Sequence, residues 1–95
     1  MTAPSAADVV AFWREAGPKR WFEKDFAFDE EVRRRFYDLY ESAADGKLTG
    51  WERNAEGALA LLILLDQFPR NMFRNDVRTF ATDPMALSIS AWAIF

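Results

Sequence analysis

The chain contains no cysteine and no histidine, and these absences exclude several kinds of catalytic and metal site. Without cysteine there is no disulfide, no thiol nucleophile and no thiolate ligand for a metal ion. Without histidine, this chain alone cannot build a Ser-His-Asp triad, a Cys-His pair or a classical zinc site. We therefore predict that the 95 residues hold no metal and no cofactor.

Long apolar runs and long basic runs are also missing. The longest apolar run covers the eight residues 58–65, whereas a transmembrane helix needs about 20. The first residues show neither the basic nor the apolar region of a secretory signal. The formal charge is −3, and the basic residues are scattered among acidic ones, which disfavours binding to a phosphate backbone. We expect a cytoplasmic protein that binds neither nucleic acid nor membrane.

Apolar residues are abundant in contrast, at 51% of the chain, and aromatic residues make up 16%. This composition is typical of a folded protein and not of a disordered one. Ninety-five residues are enough for one hydrophobic core. We predict that residues 1–95 form a single helical domain.

The first helix is predicted over residues 6–16 from its apolar spacing and its end signals. Ser5 is the expected N-cap, because Asp8 follows it at capping-box spacing. Gly17 and Pro18 are expected to end the helix, since glycine accepts positive φ after a helix and proline cannot continue one.

The second helix is predicted over residues 30–44, after an aromatic connection over residues 19–28. Asp29 is its expected N-cap, and an apolar stripe at helical spacing begins at Val32. This apolar stripe predicts one interior face and one solvated face for the second helix.

The third helix is predicted over residues 55–68, with Asn54 as its cap and a short helical turn before it around Trp51. Its residues are apolar on nearly all sides, so we expect it to be the central helix of the fold. Gly57 in the first turn would allow a close approach of another backbone. A break or a change of direction is expected at Pro69, because proline lacks a donor and disfavours helical geometry in the preceding residue.

The last helix is predicted to start at Thr82 or Asp83, with Pro84 at its first position. Its end, residues 92–95, is apolar and has no cap. We expect these residues either to be buried in a partner, including a second copy of the chain, or to fold back onto the aromatic connection. The predicted fold class is therefore all-α, with stacked antiparallel helical hairpins and about four main helices.

A long segment of the chain, residues 58–87 with the sequence ALALLILLDQFPRNMFRNDVRTFATDPMAL, resembles the hallmark segment of the bacterial family named domain of unknown function 924. The upstream segments VVAFWREA, WFEKDFAFD, RRRFYDLY and GKLTGW resemble that family in the same order. The resemblance implies a tetratricopeptide-like helical stack, a cytoplasmic location and no assigned activity, so it supplies no catalytic residues. Family members are about twice as long, which predicts that the chain is the N-terminal half of a longer fold.

The best candidate for a ligand site is a polar cluster where the most apolar segment ends. Its members are Asp66, Gln67, Arg70, Asn71 and Arg74. If helical geometry continued past Pro69, Asp66, Arg70 and Arg74 would share one face, and the carboxylate could orient an arginine toward an anion. Arg78 could extend the same edge. Alternatively, Asp66 pairs with an arginine, and the side-chain amides of Gln67 and Asn71 satisfy backbone groups at the helix end.

Two other clusters also have a structural and a functional interpretation. Aromatic residues near the first connection could form a stacking platform, but a short chain needs them in its core: Trp13, Trp21, Phe22, Phe26 and Phe28. Acidic residues in the same region could bind a cation, but capping and solvation explain them better: Asp25, Asp29, Glu30 and Glu31.

The leading hypothesis for function is a helical module that binds a protein or a peptide. A second hypothesis is a small-anion-binding protein or part of an enzyme that uses a carboxylate beside an arginine. Its candidate groups are Asp66, Glu52 or Glu56 beside Arg70 or Arg74. A third hypothesis is a structural fragment without its own activity. Binding is favoured over catalysis, since no nucleophile, base and oxyanion donor come together in the sequence.

Overall fold

The computed structural model describes residues 3–74 and 77–93, and every regular element within them is helical. The elements in chain order are α1 (Ala6–Phe22), α2 (Phe26–Ala44), a 3₁₀ turn (Thr49–Arg53), α3 (Ala55–Leu62), a π-helical segment (Ile63–Gln67), α4 (Phe68–Met72), a second 3₁₀ turn (Val77–Phe80) and α5 (Asp83–Ala93). The predicted all-α fold class is confirmed.

Helix α1 begins as predicted but continues beyond its predicted end. The Ser5 hydroxyl accepts from the Asp8 amide at 3.2 Å, and the Asp8 carboxylate accepts from the Ser5 amide at 2.8 Å. Gly17 has φ +77° and kinks the helix, which confirms a break there. The chain then forms another helical turn, because Pro18 stands at its start, where no donor is needed. The connection predicted over residues 19–28 is therefore too long.

Helix α2 begins one turn earlier than predicted. Its N-cap is Asp25, whose carboxylate accepts from the Phe28 amide at 3.1 Å. The prediction that Asp29 is the cap is wrong: Asp29 lies inside α2 and is only 8% exposed. The reason is that Asp29 shares the buried face of the helix with Val32 and Phe36, at helical spacing.

Helix α3, the π-helical segment and α4 follow one another without interruption over residues 55–72, which we call the central rod. Of the two outcomes expected at Pro69, the break does not occur. The Phe68 amide bonds to the Ile63 carbonyl in a π-type turn, so the helix changes its hydrogen-bond pattern just before the proline. Pro69 then lies in the first turn of α4, where its missing donor is tolerated.

The central rod lies in the interior, as predicted. Leu64, Leu65 and Phe68 are fully buried. Phe68 packs against Phe36 of α2 and Phe12 of α1, with ring centroids 4.9 and 5.9 Å apart. These contacts join both long helices to the rod.

The start of the central rod is pressed against the first 3₁₀ turn. The Asn54 side chain caps the rod by accepting from the Gly57 amide at 2.7 Å, as predicted. A Cβ atom at Gly57 would lie 2.0 Å from the Trp51 carbonyl oxygen. The close backbone approach expected at Gly57 is therefore confirmed.

Helix α5 is anchored to the middle of the rod by Thr82. The Thr82 hydroxyl donates to the Leu65 carbonyl at 2.7 Å. This is the carbonyl that an α-helical donor at Pro69 would have reached, so Thr82 compensates for the proline. The predictions for residues 92–95 lie outside the described residues and side chains.

Candidate functional site

A groove of about 850 Å³ opens between α1, the central rod and α5. Its volume is within the range of about 300–1,000 Å³ that is usual for ligand pockets. Apolar side chains from all three elements line it, among them Trp13, Trp21, Leu59, Leu62, Ala86 and Leu87. The groove thus has a largely apolar lining built by residues distant in sequence.

Two tryptophans of α1 form one wall of the groove. The rings of Trp13 and Trp21 stack in parallel, with centroids 4.8 Å apart, and the Trp21 indole donates to the Trp13 carbonyl at 2.6 Å. The kink at Gly17 lies between them. The interpretation of the aromatic cluster as core holds for buried Phe28, but Trp13 and Trp21 are half-buried and Phe26 is 79% exposed. The side chain of Phe22 lies outside what the structure describes.

Two leucines at the groove remain in contact with water. Leu59 of the central rod is 40% exposed, and Leu87 of α5 is 73% exposed. Single exposed leucines are ordinary on protein surfaces, but both of these line the same concave surface. The groove therefore brings two exposed leucines together on one concave surface.

One end of the groove is acidic. Asp66 accepts from Arg70 Nη2 at 3.2 Å and from the Gln67 side chain at 2.5 Å. Asp83 Oδ1 lies 3.7 Å from the same guanidinium. That oxygen is buried and makes no hydrogen bond to the part of the chain that the structure describes. Two carboxylates thus face one arginine, which leaves an excess of negative charge at this end.

The other two predicted site residues lie in a different place. Asn71 and Arg74 both bind Asp29 of α2: the amide at 3.0 Å, and the guanidinium through Nε at 2.5 Å and Nη2 at 3.2 Å. Arg74 Nη2 also reaches the Glu23 carbonyl at 3.4 Å. This arrangement, which we call the Asp29 lock, ties the end of α1 and the body of α2 to the end of the rod.

The five predicted site residues therefore divide into two groups. Asp66 and Arg70 pair one turn apart, as helical geometry predicts. Arg74 leaves that face, because α4 ends at Met72 and the chain turns at Phe73, which has φ −125° and ψ 41°. Asp66 and Gln67 line the groove, whereas Asn71 and Arg74 belong to the Asp29 lock.

Arg70 and Arg74 come together again at a second, smaller cavity of about 260 Å³. Lys24 and Thr79 complete its lining. Lys24 was not among the predicted site residues, because nothing in its local sequence indicates that it approaches Arg70. Arg78 does not extend this edge: it pairs with Glu41 of α2 at 2.8 Å.

The acidic residues near the first connection have structural partners. Glu30 and Glu31 form exposed ion pairs with Arg33 and Arg35 of the same helix. Within residues 3–74 and 77–93, no group of three acidic side chains is arranged to hold a metal ion. Neither Glu52 nor Glu56 is among the described residues that line the two cavities.

Over the same stretches of chain, we find no helix with the length and apolar character required to cross a bilayer.

The comparison with known proteins matches residues 9–95 to the model of a family described as bacterial protein of unknown function (DUF924). The solved structure of a protein of unknown function from Agrobacterium tumefaciens is also similar. It is 52% identical, with a TM-score of 0.92 over 94% of this chain and 51% of that chain. The chain thus spans about half the length of this solved relative. No curated protein is significantly similar to this chain.

Proposed function

Since the chain belongs to the bacterial family of unknown function DUF924, which supplies no activity to transfer, we propose a function from the groove: the chain is a helical interaction module. Its partner is an amphipathic helix with leucine-sized side chains and one lysine or arginine. A cytoplasmic location and a tetratricopeptide-like stacking of antiparallel hairpins belong to the same proposal. Stacked helical hairpins commonly present grooves of this kind to peptides.

The observation that carries the proposal is an apolar groove with an acidic end. Leu59 and Leu87 remain exposed beside the paired rings of Trp13 and Trp21. Covering such side chains is favourable by about 25 cal/mol per Å² of apolar surface removed from water. A helix with an apolar stripe would cover all four at once.

The acidic end sets the expected charge of the partner. Asp66 and Asp83 share Arg70, and one oxygen of Asp83 is buried without a hydrogen bond to the described residues. The side chains of Asp66 and Asp83 are 32% and 37% exposed, and both line the groove. A lysine or arginine at one end of the bound helix would pair with these carboxylates.

A synthetic helix of about 15 residues tests the proposal, because a peptide of this length forms a helix readily once it is bound. It carries leucines at positions i, i+3, i+4 and i+7 and a single lysine near one end. Binding to the chain is measured by tryptophan fluorescence and by calorimetry. A second peptide with glutamate in place of the lysine should bind about tenfold more weakly, equivalent to about 1.4 kcal/mol.

The variants Leu59→Glu and Leu87→Glu should abolish binding of the lysine peptide without unfolding the chain, because both side chains already contact water. Phe26→Glu is the matched control, since Phe26 is 79% exposed but lies outside the groove lining. Equal loss of binding in Phe26→Glu, or full binding in Leu87→Glu, would remove the proposal. A dimer in sedimentation that the peptide does not displace would make a second copy the occupant, against the proposal.

A further inference from the structure

We propose that the small cavity between Lys24, Arg70, Arg74 and Thr79 binds a phosphate group, either free phosphate or a small phosphomonoester. The lining of this cavity shares no described residue with the lining of the groove, although Arg70 also pairs with Asp66 and Asp83 at the acidic end. The proposal does not depend on peptide binding.

The composition of the cavity wall is the first observation. Three of its four lining side chains are cationic, and none is acidic. The fold brings them together from the segment between α1 and α2, from the end of the central rod and from the second 3₁₀ turn. No carboxylate is among the described lining residues, so an anion in the cavity would face cationic groups and one hydroxyl.

The two guanidinium groups are held in place from outside the cavity. Asp29 binds Arg74 through two nitrogens, and Asn71 fixes Asp29 in turn. Asp66 and Asp83 lie 3.2 and 3.7 Å from Arg70 Nη2. These partners orient planar donors that match the oxygens of a phosphate. Side chains outside the lining therefore hold both arginines in position.

Lys24 differs from the two arginines. It is exposed, and it has no ion pair with any residue in the described ranges. It lies in the short connection between α1 and α2, where its ammonium group can turn toward a ligand. Lys24 thus provides a positive charge that no described carboxylate neutralises.

The volume limits the ligand to a small one. About 260 Å³ lies just below the usual range for drug-sized ligands, which begins near 300 Å³. At pH 7 a phosphomonoester carries a charge of about −1.5 to −2. Since Asp29, Asp66 and Asp83 already pair with the two arginines, we expect weak binding, with a dissociation constant on the order of 1 mM.

The test is a titration of the chain with inorganic phosphate and, separately, with glycerol phosphate, both at constant ionic strength. Sodium acetate is the control anion, and amide chemical shifts report binding. Lys24→Ala and Arg70→Gln should each weaken binding of the tighter phosphate ligand about fivefold or more. Lys47→Ala is the matched control, because Lys47 is an exposed lysine outside the cavity lining.

Tighter binding of glycerol phosphate would assign a phosphomonoester, and tighter binding of inorganic phosphate would assign the free anion. The proposal is overturned if acetate binds as tightly as both phosphates, or if Lys24→Ala binds like the unmodified chain. Circular dichroism confirms that each variant is folded. Should Arg70→Gln unfold, Lys24→Ala still decides the question, because Lys24 is exposed and outside the core.

Discussion

The two faces of the central rod differ in how completely they are covered. Toward α2, Phe36 and Phe68 are fully buried, and the Asp29 lock satisfies the polar groups at the end of the rod. Between α1 and α5, the groove leaves Leu59 of the rod and Leu87 of α5 in contact with water. One face of the rod, which we call the closed face, is therefore covered by the fold, whereas the groove side, which we call the open face, leaves large apolar side chains in contact with water.

The ion pairs follow the same division. In the Asp29 lock the side chains of Asp29 and Arg74 are 11% and 30% exposed. At the groove the side chains of Asp66 and Arg70 are 32% and 43% exposed. A more buried pair leaves a costly unpaired charge when one partner is removed. An exposed pair is screened by water and contributes little. The two pairs should therefore respond very differently to substitution.

The largest effect is expected from a truncation on the closed face. Phe36→Ala should lower the free energy of unfolding by about 4 kcal/mol, because it leaves a cavity among packed aromatic rings. Leu87→Ala, on the open face, should change it by less than about 0.5 kcal/mol. Urea denaturation followed by circular dichroism measures both. Equal losses in the two variants would contradict the division into a closed and an open face.

The next largest effect is expected at the start of the rod, where the backbone of Gly57 lies against the backbone of Trp51. Gly57→Ala should destabilise the chain by about 3 kcal/mol, since the new methyl group would meet the Trp51 carbonyl. Gly50→Ala is the matched control, because a Cβ atom there has no atom within 4 Å. Thermal denaturation of both variants tests this expectation. A Gly57→Ala variant as stable as the unmodified chain would contradict the close approach of the Gly57 and Trp51 backbones.

The two ion pairs give the third comparison. Asp29→Ala should cost about 3 kcal/mol, because it leaves Arg74 and the buried Asn71 without their shared acceptor. Asp66→Ala should cost less than about 1 kcal/mol, since its pair is exposed. Urea denaturation at low and high salt distinguishes the two. Similar losses for both substitutions would contradict the contrast.

The smallest effect is expected outside both faces, at the N-cap of α1. The Ser5 amide, and then the Ser5 hydroxyl, lower the pKa of Asp8 below its ordinary value of 3.8. Because the pKa falls on folding, Asp8 stabilises the chain above about pH 4. This contribution is lost as the pH falls through the lowered pKa. Asp8→Asn should therefore be less stable than the unmodified chain at pH 7, and in thermal denaturation the difference should shrink as the pH is lowered below about 4.

Features that depend on neighbours in the sequence could be predicted from it. The caps at Ser5 and Asn54, the kink at Gly17 and the close approach at Gly57 each follow from one residue type and its local spacing. The interior position of the central rod follows from its apolar composition. Local chemistry alone determines these features, so no knowledge of distant partners is needed.

Features that depend on distant partners could not be predicted in the same way. Asp29 lies at the spacing of the buried stripe of α2, which is the signal that it points inward, but nothing local indicates that its partner is Arg74. The approach of Lys24 to Arg70 is equally non-local. The passage through Pro69 requires a π-type turn and the hydroxyl of Thr82, which lies just before α5 and is distant in sequence from the proline.

We expect the open face to bind a helix and the closed face to take no part in binding. Amide and indole chemical shifts of the chain, recorded during titration with the lysine peptide, measure this difference residue by residue. We predict shifts for the Trp21 indole and for the amides of Leu59 and Leu87, with Asp29 and Phe36 unchanged. Shifts centred on Asp29 and Phe36, or no shift at Trp21 and Leu87 under saturating peptide, would contradict the claim.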